Sequence, residues 1–156
     1  MSRSGEDQPS GGSLRVGVAV SSFNAVITDG LLVGALAALE ESSVVDITVV
    51  RLPGALELPL AAQKLIAAGM DAVVAIGAVI EGETDHYAHV ATQTMAGLQR
   101  VALDTGVPVA NAVLTVRKFS HARDRSLPGQ ANKGYEAARA AIATVTALRE
   151  VTKPTA

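Results

Sequence analysis

The sequence predicts an α/β fold, a three-layer sandwich in which helices cover both faces of a four-stranded parallel sheet. Short runs rich in valine alternate along the chain with longer segments whose apolar residues recur at helical spacing. The short runs are apolar almost throughout, which is typical of strands buried on both faces of a parallel sheet. The chain has 156 residues, of which 49% are hydrophobic, and this length suits one domain with a sizeable core.

Four strands are predicted from short, mainly apolar runs bounded by polar residues, glycine or proline: residues 14–21, 46–51, 71–76 and 108–114. Helical segments connect successive strands, so the strands are expected to be parallel and the crossovers right-handed. This arrangement is the flavodoxin-like type of three-layer sandwich.

The connecting segments carry the helical period over residues 29–41, 56–68, 86–103 and 135–151, with a short helical turn over 120–124. Thr28 or Asp29 is the expected N-cap of the first helix, because either side chain can accept a hydrogen bond from a backbone N–H of the first turn. Gly69 is expected to end the second helix.

Composition excludes several classes of protein. The net charge of −2 gives no basic footprint, so neither nucleic acid nor an anionic membrane is an expected partner. The chain has no cysteine, which excludes disulfides and thiolate metal sites and suits a reducing cytoplasm. Residues 1–13 are polar and rich in glycine and serine, so we expect a disordered tail without a targeting segment before a single domain over residues 14–156.

Ligands of parallel α/β sheets bind outside the carboxyl ends of the strands, so the segments that follow the strands hold the candidate site. Phe23 follows the first strand, where its ring either stacks on a flat heterocycle or folds back over the core. Pro53-Gly54 follows the second strand, and Glu57 lies in the first turn of the next helix. Its carboxylate either accepts hydrogen bonds from substrate hydroxyls or complements the helix dipole.

The segment after the third strand, residues 77–86, carries the most information. Two glycines lead into a helix N-terminus, where backbone N–H groups favour an anion. Thr84 adds a hydroxyl donor, and His86 can exchange protons near neutral pH. The alternative is an ordinary loop capped by Thr84 or Asp85, with a histidine facing solvent. Three carboxylates in the segment oppose an anion unless a cation offsets them: Glu81, Glu83 and Asp85.

Two further patterns bear on ligands. His86 and His89 are one helical turn apart, but no cysteine or third ligand accompanies them, so we expect no metal site. The segment over residues 115–134 is polar and contains five cations: Arg117, Lys118, Arg123, Arg125 and Lys133. They either face solvent or supply the cation for a phosphate beside the third strand.

Five segments, taken in order, resemble the lumazine synthase family over about residues 14–150. They are Phe23-Asn24; Pro53-Gly54-Ala55 with Glu57 and Pro59; residues 77–80 followed by Gly82-Glu83-Thr84 and His86; residues 108–110 with 113–115; and Asn132-Lys133-Gly134. The ordered set is specific, although each segment is short.

The resemblance implies a cofactor-free transferase of riboflavin biosynthesis. It would condense 5-amino-6-(D-ribitylamino)uracil with 3,4-dihydroxy-2-butanone 4-phosphate to 6,7-dimethyl-8-ribityllumazine, with release of phosphate and water. The resemblance also implies residue roles. The pyrimidine and ribityl group would contact Phe23, Asn24, Ala55, Leu56, Glu57, Val79, Ile80 and Asn111. The phosphate would bind at Gly82, Glu83, Thr84 and Arg125, and catalysis would depend on His86, Arg125 and Lys133.

The resemblance further implies a homopentamer with active sites between subunits, in which Arg125 and Lys133 come from the neighbour. Some relatives assemble twelve pentamers into an icosahedral capsid. The bend over residues 126–132 is as short as in shell-forming relatives, and Pro128-Gly129 fixes a sharp turn there.

The chain departs from the family pattern at Glu81, Asp85 and Asn111, and it matches poorly over residues 117–125, where Arg123 is the second choice for the phosphate arginine. These departures leave open a non-catalytic lumazine- or flavin-binding homologue. A signalling receiver of the same fold is disfavoured, because Ser21-Ser22 occupies the place where receivers carry acidic residues.

Overall fold

The structure, a computed structural model, describes residues 11–152 and contains one sheet of four parallel strands. The strands are β1 (Arg15–Ser21), β2 (Asp46–Leu52), β3 (Ala72–Ile80) and β4 (Val109–Val116). Their order is β2-β1-β3-β4, with β1 paired to β2 and β3, and β3 paired to β4. The predicted three-layer, flavodoxin-like sandwich is confirmed.

Helices cover both faces of this sheet: α1 (Ala25–Glu41), α2 (Leu58–Ala67), α3 (His86–Thr105), α4 (Phe119–Arg125) and α5 (Lys133–Thr152). A 3-10 turn, Ala55–Glu57, precedes α2. One apolar core lies between the sheet and the pair α1 and α5, and a second lies between the opposite face and the pair α2 and α3. Side chains of β1 alternate between the two cores, as the pleat of a strand requires.

The third strand is longer than the sequence analysis predicts. Residues 77–80, expected in a loop, continue β3 and pair with residues 113–116 of β4. Gly77, one of the two glycines of that expected loop, serves close packing here, since a Cβ there would lie 3.2 Å from both Leu58 and the hydroxyl of Ser21. The strand therefore carries Val79 and Ile80 on a rigid element up to its carboxyl end.

The first helix also begins earlier than predicted, at Ala25. Its N-cap is Asn24, in the left-handed conformation with φ of 60°, and not Thr28 or Asp29. Asparagine tolerates this conformation better than most residues. Thr28 lies fully buried inside the helix, so the prediction of the cap was wrong by four residues or more.

The N-terminus of α5 is held against α1 by Asn132, which is 1% exposed. Its amide donates to the carbonyl oxygens of Gly30 and Leu127, at 3.1 and 3.0 Å, and accepts from the backbone N–H groups of Gly134 and Tyr135. The approach is so close that a Cβ on Gly134 would overlap the carbonyl oxygen of Leu31. This contact sets where α5, and with it Lys133, begins.

Residues 1–10 of the predicted tail lie outside the described residues. Residues 11–13 form a turn in which the backbone N–H of Gly11, a buried residue, donates to the carbonyl oxygen of Ser42 at 2.7 Å. Gly11 therefore packs against the domain, whereas Gly12 and Ser13 are exposed. No helix within residues 11–152 has both the length and the apolar character needed to cross a membrane.

Candidate active site

A cavity of about 520 Å³ opens at the carboxyl ends of β1, β2 and β3, where the topology predicts a ligand. We call it the strand-end cavity. Nine of the residues expected to bind substrate line it: Phe23, Ala55, Leu56, Glu57, Val79, Ile80, Gly82, Thr84 and His86. Three loops and the first turn of α3 thus converge on one space.

The ring of Phe23 forms one wall and is 70% exposed. The segment before α1 is tied to its neighbours, because the N–H of Phe23 donates to the carbonyl oxygen of Pro53 at 3.2 Å. The side chain of Asn24 donates to the carbonyl oxygen of Ala78 at 3.1 Å. The ring therefore faces open space, and hydrogen bonds hold the backbone that carries it. The alternative that the ring folds back over the core is wrong.

A second wall is the turn after β2. Here the N–H of Glu57 donates to the carbonyl oxygen of Gly54 at 3.4 Å. The carboxylate of Glu57 lies close over Gly54, since a Cβ at Gly54 would be 3.3 Å from Oε2. Glu57 is exposed, whereas Val79 and Ala78 on β3 are almost fully buried and line the same cavity. A carboxylate acceptor thus stands beside an apolar surface.

The third wall is the loop between β3 and α3. The backbone N–H of His86 donates to the hydroxyl oxygen of Thr84 at 3.3 Å, and Asp85 between them is the N-cap of α3. The helix has 20 residues, and its first backbone N–H groups have no partner within the helix. A Cβ on Gly82 would meet nothing within 4 Å. The loop therefore offers room, N–H donors and the exposed imidazole of His86 together.

Two of the three carboxylates in this loop have a cationic or titratable neighbour. Glu81 lies 3.8 Å from Nε of Arg117, and Asp85 lies 3.3 Å from Nε2 of His89. Arg117 thus gives one carboxylate the cation that the sequence analysis required. Within the described residues, no group of three or more histidine, aspartate or glutamate side chains is placed to hold a metal ion.

Five residues expected at the site do not line the strand-end cavity. The side chain of Asn24 donates to the carbonyl oxygen of Ala78, and Glu83 lies in the chain between the lining residues Gly82 and Thr84. Asn111 lies in a separate groove between α3, β4 and α5, where its side chain accepts from the N–H of Val113 at 2.8 Å. The cations of Arg125 and Lys133 are engaged locally, with the carbonyl oxygen of His121 and the carboxylate of Glu136.

Five residues that were not predicted as site residues line the cavity: Pro53, Gly54, Ala78, Tyr87 and Val90. Signals for some of them were present in the sequence. The Pro53-Gly54 turn follows a strand directly, and Tyr87 and Val90 occupy the first turns of the helix that His86 opens. These neighbours line the same cavity as the predicted site residues.

The residues that line the cavity indicate which ligand it suits and which chemistry it can support. An aromatic face and apolar side chains suit a flat heterocycle, the carboxylate of Glu57 suits a hydroxylated arm, and an imidazole can move protons. Among the described residues that line the cavity, none is a lysine or arginine. A strongly charged phosphate there would need a cation from elsewhere.

Comparison with known proteins agrees with this geometry. The family model for 6,7-dimethyl-8-ribityllumazine synthase matches residues 13–149. A protein of that name from Kineococcus radiotolerans is 49% identical over 148 residues, which cover 94% of this chain and 92% of that protein.

Further proteins of the same name are similar. The one from Streptomyces coelicolor is 43% identical over 92% of this chain and 90% of its own length. The one from Saccharopolyspora erythraea is 46% identical over 92% of this chain and 87% of its own length. With the strand-end cavity and the sheet order in place, these matches establish that the chain belongs to the 6,7-dimethyl-8-ribityllumazine synthase family.

Proposed function

We propose that this chain makes 6,7-dimethyl-8-ribityllumazine in the cytoplasm, as a step of riboflavin biosynthesis. It condenses 5-amino-6-(D-ribitylamino)uracil with 3,4-dihydroxy-2-butanone 4-phosphate and releases phosphate and water. The observation that carries the proposal is the convergence of Phe23, Glu57, Thr84 and His86 on one cavity in a chain of this family.

The pyrimidine lies against the ring of Phe23, with Val79 and Ile80 beneath it. The exposure of Phe23 and the burial of Val79 support this placement, because one offers a free ring face and the other a rigid apolar floor. The ribityl hydroxyls donate to the carboxylate of Glu57 and lie along the backbone of Ala55 and Leu56. Asn24 acts behind this layer by holding the backbone of Phe23.

The phosphate of the ketose binds at the start of α3, to the backbone of Gly82 and Glu83 and to the hydroxyl of Thr84. Support comes from the open space at Gly82 and from its place just before the N-terminus of a 20-residue helix, where the helix dipole favours an anion. Arg125 supplies the permanent charge through a two-point contact.

His86 moves protons between the two reactants. The 5-amino nitrogen attacks the ketone carbon, His86 takes a proton from that nitrogen, and water leaves as the imine forms. Loss of a C–H proton then expels phosphate, and the second nitrogen closes the ring with loss of a further water. Holding the reactants together contributes much of the rate, as it does in other bimolecular reactions in enclosed sites.

Arg125, Lys133 and Asn111 come to the cavity from a neighbouring subunit in a homopentamer. Two observations support a shared site. These three side chains lie away from the cavity of their own chain, and many large apolar side chains are exposed, which is typical of association surfaces: Val26, Val33, Leu56, Leu60, Leu103, Phe119 and Leu127. Twelve such pentamers close into a sixty-subunit shell.

An absorbance assay tests the proposal. Purified protein is mixed with the two substrates, and lumazine formation is followed alongside the release of inorganic phosphate. The expected result is one phosphate per lumazine formed, at a rate well above the spontaneous reaction. Tight binding of the lumazine without any acceleration would support the non-catalytic homologue instead.

A further inference from the structure

The loop proposed to receive the ketose phosphate carries three carboxylates that alternate in sequence with the cavity-lining residues Gly82, Thr84 and His86. Glu81, Glu83 and Asp85 occupy three of five consecutive positions there. Each carboxylate repels a phosphate, and at separations of several ångströms the repulsion is only partly screened at ordinary ionic strength. A loop that binds phosphate with this composition needs compensation from another part of the fold.

Arg117 provides that compensation. It directly follows β4 and lies 3.8 Å, Nε to Oε2, from Glu81, which directly follows β3. The two strands are paired along their length up to Ile80 and Val116, and the N–H of Glu81 donates to the carbonyl oxygen of Val116 at 2.9 Å. The sheet itself therefore fixes the backbones of both partners side by side.

A histidine is the neighbour of a second carboxylate in the loop. His89 lies near Asp85, but a histidine carries its charge only when protonated. Among residues 11–151, Arg117 is the one permanent cation within 4 Å of any of the three carboxylates. Arg117 is therefore placed to offset one of the three negative charges beside Gly82 and Thr84.

We infer that Arg117 is a specificity-determining residue that acts through Glu81: it neutralises this carboxylate and so permits phosphate binding at Gly82–Thr84. The inference rests on the proposed function, since it concerns the ketose phosphate subsite. Arg117 is not a ligand of the phosphate, and its role is one of charge.

The test is a double-mutant cycle of Arg117→Gln, Glu81→Gln and the double variant. For Arg117→Gln we expect a rise of about two- to tenfold in the KM for the ketose phosphate, the size of one unit charge at several ångströms near a surface. The KM for the pyrimidine should stay unchanged. The double variant should return to the wild-type KM, because the carboxylate that required Arg117 is gone. Arg117→Lys should retain most of the wild-type affinity.

Arg100→Gln is the matched control. Arg100 is as exposed as Arg117, at 83% against 86% for the side chains, and pairs with Asp104 on the same helix. It lies near the far end of α3 from the cavity. Arg100→Gln changes the net charge by the same amount as Arg117→Gln, but away from the cavity. It should therefore leave both KM values unchanged.

Binding of inorganic phosphate, measured by calorimetry without turnover, separates this inference from the proposed function. Weaker phosphate binding in Arg117→Gln, restored in the double variant, supports the inference even if no lumazine forms. Unchanged KM and phosphate affinity in Arg117→Gln of an active enzyme overturn the inference alone. A double variant that stays as weak as Arg117→Gln also overturns it, because Arg117 would then contact phosphate directly.

Discussion

At the scale of single residues, His86 and His89 differ in their surroundings. Both are exposed near the start of α3, but only His86 lines the strand-end cavity, and His89 pairs with Asp85. General acid–base groups contribute about 10²–10⁴-fold to a rate. We expect His86→Ala to lower kcat at the low end of that range or below, because the amine and ketone react without help once positioned.

The affinity of His86→Ala for a non-reactive pyrimidine analogue should be unchanged, and His89→Ala is the matched control, one turn along the same helix. Stopped-flow absorbance measures kcat for both variants. Wild-type turnover in His86→Ala across pH 6–8 would remove this residue from the mechanism.

Arg125 is the second prediction at this scale. It is exposed at the end of α4 and, among residues 11–151, donates only to the carbonyl oxygen of His121, so its guanidinium retains donors for a phosphate. Losing a charge-assisted hydrogen bond costs about 1.5–3 kcal/mol, or roughly 10–150-fold in affinity. We expect Arg125→Ala to raise the KM for the ketose phosphate by this factor and to spare the pyrimidine. If Arg123→Ala produces the effect instead, the assignment of the phosphate arginine is incorrect.

At the scale of elements, the contact between α1 and α5 depends on the absence of a side chain at Gly134. Replacing a glycine inside a helix by alanine normally stabilises the helix by about 1 kcal/mol. Here the sign should reverse, because the added Cβ would overlap the carbonyl oxygen of Leu31, which is backbone.

We expect Gly134→Ala to lower the free energy of unfolding by about 1–3 kcal/mol, as overpacking usually does, and urea denaturation measures it. Gly12→Ala is the control, since a Cβ at Gly12 meets nothing within 4 Å. Equal or greater stability of Gly134→Ala would show that the helices separate without cost.

The strands and helices show how much of the fold could be predicted from the sequence. Strands and helices were predicted from their periods to within a few residues, because the apolar pattern follows burial directly. The first and last residues of the strands and helices were harder to predict. Gly77 is expected in the loop after the third strand and is a packing glycine within β3, and Asn24 caps α1 in the left-handed conformation without a side-chain hydrogen bond.

The candidate site was predicted to the extent that topology determines it. The carboxyl-end rule placed Phe23, Glu57 and His86 correctly at one rim. The pairing of Arg117 with Glu81 depends on the register of β3 and β4, which no local pattern contains. The separation of Arg125 and Lys133 from the cavity likewise follows from how the chain folds and not from spacing.

At the scale of the whole molecule, we expect a closed assembly. Five copies of the 15.9 kDa chain have a mass of about 80 kDa and sixty copies about 950 kDa. Light scattering on the purified protein distinguishes these masses. A fully active monomer near the mass of one chain would contradict both the assembly and the shared site.

The central claim is that the strand-end cavity makes lumazine with residues from the adjacent subunit. Its most direct test is the rate of lumazine formation by a co-expressed mixture of Gly82→Phe and Arg125→Glu, at low ketose phosphate, after each parent is shown to assemble. Gly82→Phe blocks the cavity, and Arg125→Glu damages the surface offered to the neighbour. In a random mixture, about a quarter of the sites in a ring combine an intact cavity with an intact neighbour. The account predicts that the mixture recovers about that fraction of wild-type activity, and a mixture no more active than its parents would contradict it.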